Sequence, residues 1–348
     1  MKLKEKEFKI HSGNRPRVLL LGNGLNRSFG GVSWDGLLDE IKDKESFRSD
    51  ACNYLMPMPL KAVMLTKNKL AEKMAEVVEE ADRKNADKSR KIAWDSFSKT
   101  NHELRSKINL LINGNFDYVL TTNYGYEIET SLLDLDGIKP KQIQKLMNFY
   151  EVDNAQKQFL LNTFNLVNDI PIWHIHGEAR KPGSMILGNF YYGKNLRRCV
   201  ERLDGSLDRK INGKIVEFRK NMKDRKPQKI GSWVDAFILG DVYVLGLGLD
   251  FSESDIWWLI ECKCNNKDIS GTTTLYEPVT VHKNMCILDK DRECDIPSEF
   301  AVEKQCRDML LKEVYGVHID SLGITINDTE DYRVFYNRVI DKMLENRE

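Results

Sequence analysis

Val18-Leu-Leu-Leu-Gly-Asn-Gly-Leu-Asn26 carries the first structural decision in this chain. Four apolar residues run directly into glycines, and an apolar run this short suits a strand buried on both faces of a sheet. Glycines at its end let the backbone turn sharply and approach a ligand closely. A helix opening there points its free N–H groups at a phosphate. The same two glycines also fit a tight strand-to-helix turn that holds no ligand.

Working outward, similar short runs recur, each bounded by Gly, Asn, Asp or Pro. Strands are expected at Arg17–Leu21, Tyr118–Thr122, Ile172–His176, Met185–Leu187, Val242–Gly246 and Asn284–Leu288. They alternate with longer helical patterns, the signature of βαβ units in a mainly parallel sheet. Residues 22–117 form a connection far longer than an ordinary crossover. Part of it, Leu60 to Ile112, is rich in Lys, Glu, Ala and Met with helical spacing at Leu70, Met74, Val77 and Val78. Pro140 to Leu166 has the same character. Near the C-terminus, Tyr332, Phe335, Tyr336, Val339, Ile340 and Met343 follow a 3, 4 spacing behind a candidate N-cap at Asp328. Gly193 to Lys229 is basic, which fits either a solvated helical face or a surface for an acidic partner.

Composition narrows the classes. The 348 residues are 41% hydrophobic and 30% charged, as in a globular protein rather than a disordered one. Fifty-three basic residues balance 53 acidic ones, and this zero net charge argues against a dedicated nucleic-acid binder. The N-terminus alternates charge without a signal-peptide apolar run, and no stretch reaches the length of a transmembrane helix. Seven cysteines, an odd number without regular spacing, suit a reducing compartment. A cytoplasmic protein is expected.

Three further motifs carry chemistry. In Phe116-Asp-Tyr-Val-Leu-Thr-Thr-Asn-Tyr124, Asn123 sits beyond the carboxyl end of a strand, where open α/β sheets place their ligands. It fits either an amide that fixes a water or ribose hydroxyl, or a turn-forming helix cap. In Ile172-Trp-His-Ile-His-Gly177, strand alternation sets His174 and His176 on one face, with His176 nearer to solvent. A zinc site built on these two histidines lacks a third ligand, since Cys262-x-Cys264 is too closely spaced for a ribbon knuckle. Val242-Tyr-Val-Leu-Gly-Leu-Gly-Leu-Asp-Phe-Ser-Glu-Ser-Asp-Ile256 is a second glycine-terminated strand, followed by a helix starting near Ser252 or Ser254. Two such strands suggest two halves of a dinucleotide site. The dehydrogenase fingerprint fits poorly, because its third glycine falls on Arg27.

In this order the four motifs resemble the sirtuin-like domain of bacterial antiphage NAD hydrolases, over residues 15–35, 116–130, 172–190 and 240–260. The resemblance implies a single Rossmann-like α/β domain over 1–348, a mainly parallel sheet with helices on both faces. Helical insertions are expected at 41–112 and 139–168, and a C-terminal helix within 320–348. It implies that Gly22, Asn23, Gly24 and Asn26 form the pyrophosphate loop, and that Trp34, after Ser33, covers the nicotinamide ribose. It makes Asn123 and His176 the catalytic pair. Gly246 then approaches the adenosine half, and Asp289 or Asp291 binds its ribose hydroxyls. The four-cysteine zinc ribbon of sirtuin deacylases has no counterpart, as no pair of C-x-x-C motifs exists.

The function so implied is hydrolysis of the nicotinamide–ribose bond of NAD, giving nicotinamide and ADP-ribose, as the effector of an antiphage defence system. NAD is substrate rather than cofactor, and no metal is required. The resemblance further implies a homo-oligomer and, as in some relatives, a partner such as a HerA-type ATPase. No membrane or direct nucleic-acid contact is expected. Two alternatives are a sirtuin-like protein deacylase and a non-catalytic sensor binding NAD or ADP-ribose.

Overall fold

The computed structural model describes residues 15–28, 60, 72–77, 97–133, 148–149, 161, 163–179, 181–204, 230–280, 299–326 and 331–345. Its strands are β1 (Arg17–Leu21), β2 (Tyr118–Thr121), β3 (Asn148–Phe149), β4 (Asn165–Val167), β5 (Ile170–His174), β6 (Asp241–Leu245), β7 (Thr273–Tyr276), β8 (Val279–Thr280), β9 (His318–Asp320) and β10 (Thr325–Ile326). The helices that matter here are α1 (Asn23–Ser28), α2 (Phe97–Asn115), α3 (Glu127–Leu132), α4 (Asn189–Asp204), α5 (Trp233–Leu239), α6 (Ser254–Asn265), α7 (Glu299–Met309) and α8 (Asp331–Glu345).

Eight strands form one sheet in the order β3-β4-β5-β2-β1-β6-β7-β9, and β8 pairs with β10 separately. The pairings from β5 to β9 are parallel, whereas β3–β4 and β4–β5 are antiparallel. Alternation along each central strand feeds two cores. Val18, Leu20, Leu120, Trp173 and Val244 face a layer containing Trp233, Phe237, Ile256 and Leu259. Leu19, Leu21, Val119 and Ile172 face a layer containing Leu111, Ile128, Phe335 and Val339. Helices on both faces account for the unbroken apolar runs of the central strands. The architecture is therefore the expected Rossmann-like α/β sandwich.

Several expectations shift in detail. Met185–Leu187 is not a strand. It buries its side chains in an irregular stretch after the 3-10 turn Pro182–Ser184, tied to the end of the β5 motif by Ile186 N–H donating to His176 O at 2.7 Å. Within the insertion at 139–168, expected to be helical, the structure has β3 and β4, and β4 joins β5 as a hairpin. Its two turn residues, Asn168 and Asp169, both take positive φ of 49° and 63°. That conformation suits a two-residue hairpin, and Asn and Asp tolerate it better than most residues. In the 41–112 insertion, residues 72–77 and the α2 portion are helical. The spacing near the C-terminus is realised in α8, which buries Phe335, Tyr336, Val339, Ile340 and Met343. Asn284–Leu288 and Asp328 lie outside the described residues. No helix among the described residues is long and apolar enough to cross a membrane.

Candidate functional site

The carboxyl ends of β5, β2, β1 and β6 lie side by side, and each opens into one of the four motifs. Successive strands step one way from β1 through β2 to β5, then the other way through β6 and β7. The reversal falls between β1 and β6, the place where open α/β sheets hold ligands.

At that point the glycines pack loop against loop. Gly22 N–H donates to Leu245 O at 2.9 Å and Gly24 N–H to Gly246 O at 2.7 Å. A Cβ on Gly22 would stand 2.5 Å from Gly246 O, and one on Gly24 would stand 2.7 Å from Tyr336 Oη. Gly246 itself has φ +73°. The two glycine-terminated strands are thus neighbours, and their glycines have a role in close approach that needs no ligand. Asn23 opens the short α1 behind Gly22, and Asn26 lies within that helix. Trp34, Asp289 and Asp291 lie outside the described residues.

Asn123 is buried beyond β2. Its Nδ2 donates to Gly22 O at 3.4 Å, and its backbone N–H to Thr121 Oγ1 at 3.1 Å. The amide thus joins the β2 motif to the glycine loop.

The two histidines part company. Alternation on one face holds only while the backbone is extended, and β5 ends at His174. A turn follows, closed by Gly177 N–H donating to His174 O at 2.9 Å, with Gly177 at φ +94°. His174 remains on the α3 side. Its Nδ1 lies 2.7 Å from Asn123 O and its Nε2 lies 2.7 Å from Glu129 Oε1. A carbonyl and a carboxylate both accept, so both ring nitrogens must donate and the ring is an imidazolium. Burial pulls its pKa down, but the charge and hydrogen bond of Glu129, with Glu178 and the Asn123 carbonyl, outweigh this and hold it at about 9. Asn165 Nδ2 donates to the same Glu129 oxygen at 2.9 Å, and Tyr126 Oη to Glu178 Oε2 at 2.7 Å. His174 is therefore a buried structural cation that fixes the Asn123 backbone.

A raised histidine pKa stabilises the fold below pH 6.5, and this contribution is lost as pH rises through about 9. Wild type should melt above His174→Gln at pH 6.5, with the gap of a few degrees closing by pH 9. The comparison with the variant is needed because Lys263, which burial pushes down to about 7, titrates with the opposite sign in the same range. A gap independent of pH would show that His174 is neutral in the fold.

The turn carries His176 towards α6. His176 Nε2 lies 3.1 Å from Asp255 Oδ2 and 3.8 Å from Glu253 Oε2. Asp255 is fully buried and well supplied with donors: Asn195 Nδ2 reaches Oδ2 at 2.7 Å, and Ile256 N–H reaches Oδ1 at 3.0 Å. Burial raises the Asp255 pKa, yet His176, Asn195 and the backbone donor hold it below the ordinary carboxylate value. An ionised Asp255 accepts, so His176 donates from Nε2 and, when neutral, keeps its lone pair on Nδ1. Burial likewise lowers the His176 pKa, but the Asp255 charge and hydrogen bond and the Glu253 charge bring it above 6.5. Tyr192 packs edge-on to the imidazole, with centroids 5.0 Å apart.

Asp255, Glu253, Asn195 and Tyr192 were not singled out by sequence. The Glu253-Ser-Asp255 run lies in the fourth motif, but its partner is 79 positions away. The helix starts at Ser254, as expected, and its N-cap position is Glu253, whose side chain makes no capping hydrogen bond. Among the described residues, His176, Glu253 and Asp255 are of the type that hold a divalent cation, their ligand atoms lying within 4.8 Å of one another. His174 is committed to Glu129 and takes no part. The basic stretch is partly accounted for on α4, where Arg197 pairs with Glu201 and Arg202 with buried Asp235.

Fold and site together define a Rossmann-like α/β protein with a buried acid–histidine cluster at the carboxyl edge of its sheet. No family model matches the chain, and no curated protein matches it in sequence.

Proposed function

We propose that this protein hydrolyses the nicotinamide–ribose bond of NAD. The observation that carries the reading is His176, its Nε2–H held by ionised Asp255, beside the strand-crossover loops where Asn123 meets Gly22. Such a histidine is oriented as a general base at Nδ1. In the reaction the C1′–N bond breaks and its electron pair leaves with neutral nicotinamide. A water adds to the ribosyl cation and passes its proton to His176 Nδ1. Gly22, Asn23, Gly24, Asn26 and Gly246 are the proposed nucleotide-loop residues, with Trp34 over the nicotinamide ribose and Asp289 on the adenosine ribose.

His176 is 1% exposed and Asp255 fully enclosed, so a ribosyl centre reaches them only after neighbouring side chains move. A closed resting site suits an enzyme that must be silent in a healthy cell. The wider proposal, resting on the motif resemblance, is a defence effector released by homo-oligomerisation or by a HerA-type partner.

Incubation of purified protein with NAD, followed by chromatography, tests the reading. Nicotinamide and ADP-ribose in equal amounts without any acyl-peptide support it. Tight NAD binding without turnover in any assembly state would replace it with a sensor. Asn123→Ala should lower kcat about a hundredfold and leave the affinity for NAD little changed, because its amide acts near the reacting ribose. Calorimetry beside steady-state kinetics checks this, and lost binding with normal turnover at saturation would make Asn123 an anchor only.

A further inference from the structure

Glu253 occupies an unusual position in the cluster. It caps α6 through its backbone, yet its side chain makes no capping hydrogen bond. The side chain is 12% exposed, and Oε2 is enclosed without a hydrogen-bond partner among the described residues. Its ionic neighbour among the described residues is His176 at 3.8 Å, whose proton on that nitrogen is already donated to Asp255. A buried carboxylate left over in this way costs free energy until a donor or cation meets it. Around it stand Asp255 on α6, Asp250 in the loop after β6, Tyr124 beyond β2 and Tyr192 on α4. Two acids, Glu253 and Asp255, thus share one imidazole, and Asp250 adds negative charge towards Glu253 from the loop after β6.

We infer that Glu253 is a substrate-contacting carboxylate that faces the positive charge of a ribosyl-pyridinium and selects it over the neutral, reduced ring. The inference rests on the NAD-cleaving reading and names the chemical class its site accepts. The nicotinamide ring of NAD enters as a cation. As the C1′–N bond breaks, that charge passes to the ribosyl group, and the carboxylate remains beside it until water adds. A fixed anion in a water-poor site stabilises such a centre more strongly than solvent does. Burial pushes the Glu253 pKa up to about 7, with Asp255 and Asp250 adding to the rise and His176 opposing it. A bound pyridinium lowers it again, so binding of the cation expels a proton.

The test uses the full chain, with a carbocyclic NAD analogue that keeps the pyridinium but cannot form the ribosyl cation, and with NADH. Wild type should bind the analogue about tenfold more tightly than NADH, and Glu253→Gln should erase the preference. Turnover of NAD by Glu253→Gln should fall about a hundredfold. Calorimetry of wild type at pH 7 in buffers of different ionisation enthalpy needs no variant, and it should show proton release with the analogue and none with NADH. Active wild type with an unchanged preference in Glu253→Gln, or with no proton release, overturns the role of Glu253 alone. Turnover abolished by EDTA and restored by Zn²⁺ or Mn²⁺ also overturns it, since the cluster then holds a metal. Wild type that neither binds nor cleaves NAD overturns the parent reading as well.

Discussion

His176→Ala lowers kcat for NAD cleavage by about a hundredfold to ten-thousandfold, the usual cost of removing one acid–base group. Asp255 keeps its bonds to Asn195 and the Ile256 N–H, so its charge is not stranded and the fold survives. Wild-type turnover should also rise with pH through a value above 6.5, because only neutral His176 accepts a proton and its neighbours hold its pKa up. Steady-state kinetics with circular dichroism as a folding control measures both effects. Unchanged turnover in folded His176→Ala protein removes this residue from the mechanism. A flat pH profile removes proton acceptance as its role.

Gly22→Ala should unfold the protein or lower its stability by about 3 kcal/mol or more, beyond the usual range for overpacking. The added methyl would stand 2.5 Å from Gly246 O and 2.6 Å from Leu247 Cα, both backbone atoms that cannot rotate away. Gly24→Val is expected to share this fate through Tyr336 and Gly246, so loss of NAD binding in that variant is a stability effect first. Gly193→Ala is the control. Its Cβ meets nothing within 4 Å among the described residues, and alanine favours α4. Chemical denaturation of the three variants decides the matter. Wild-type stability in Gly22→Ala would mean that the two loops are looser than the hydrogen bonds between them imply.

The central strands were legible because burial on both faces leaves a run of apolar residues that nothing else explains. The expected Arg17–Leu21 coincides with β1, and the expected bounds of β2 and β6 differ from the observed ones by at most one residue at either end. β7 carries no unbroken apolar run, because the polar threonines of Thr272-Thr-Thr-Leu-Tyr276 interrupt a stretch that is otherwise β-branched and aromatic. The β4–β5 hairpin is hidden in the sequence for another reason. Its turn signal, Asn168-Asp169, was present, but helical spacing across Pro140–Leu166 outweighed it.

The sequence by itself determined the α/β class, the four strand ends and the presence there of Gly22, Asn123, His176 and Gly246. These follow from local rules, since hydrophobic period and glycine punctuation act over a few residues. Tertiary structure alone decided that His174 is a structural cation and that His176 turns to the opposite layer. It also decided that Glu253 Oε2 is enclosed with no hydrogen-bond partner among the described residues. Glu129 and Asp255 lie 45 and 79 positions from their histidines, and no periodicity spans such distances. Protonation depends on which groups the fold encloses together, so the charges of these side chains are properties of the packed molecule.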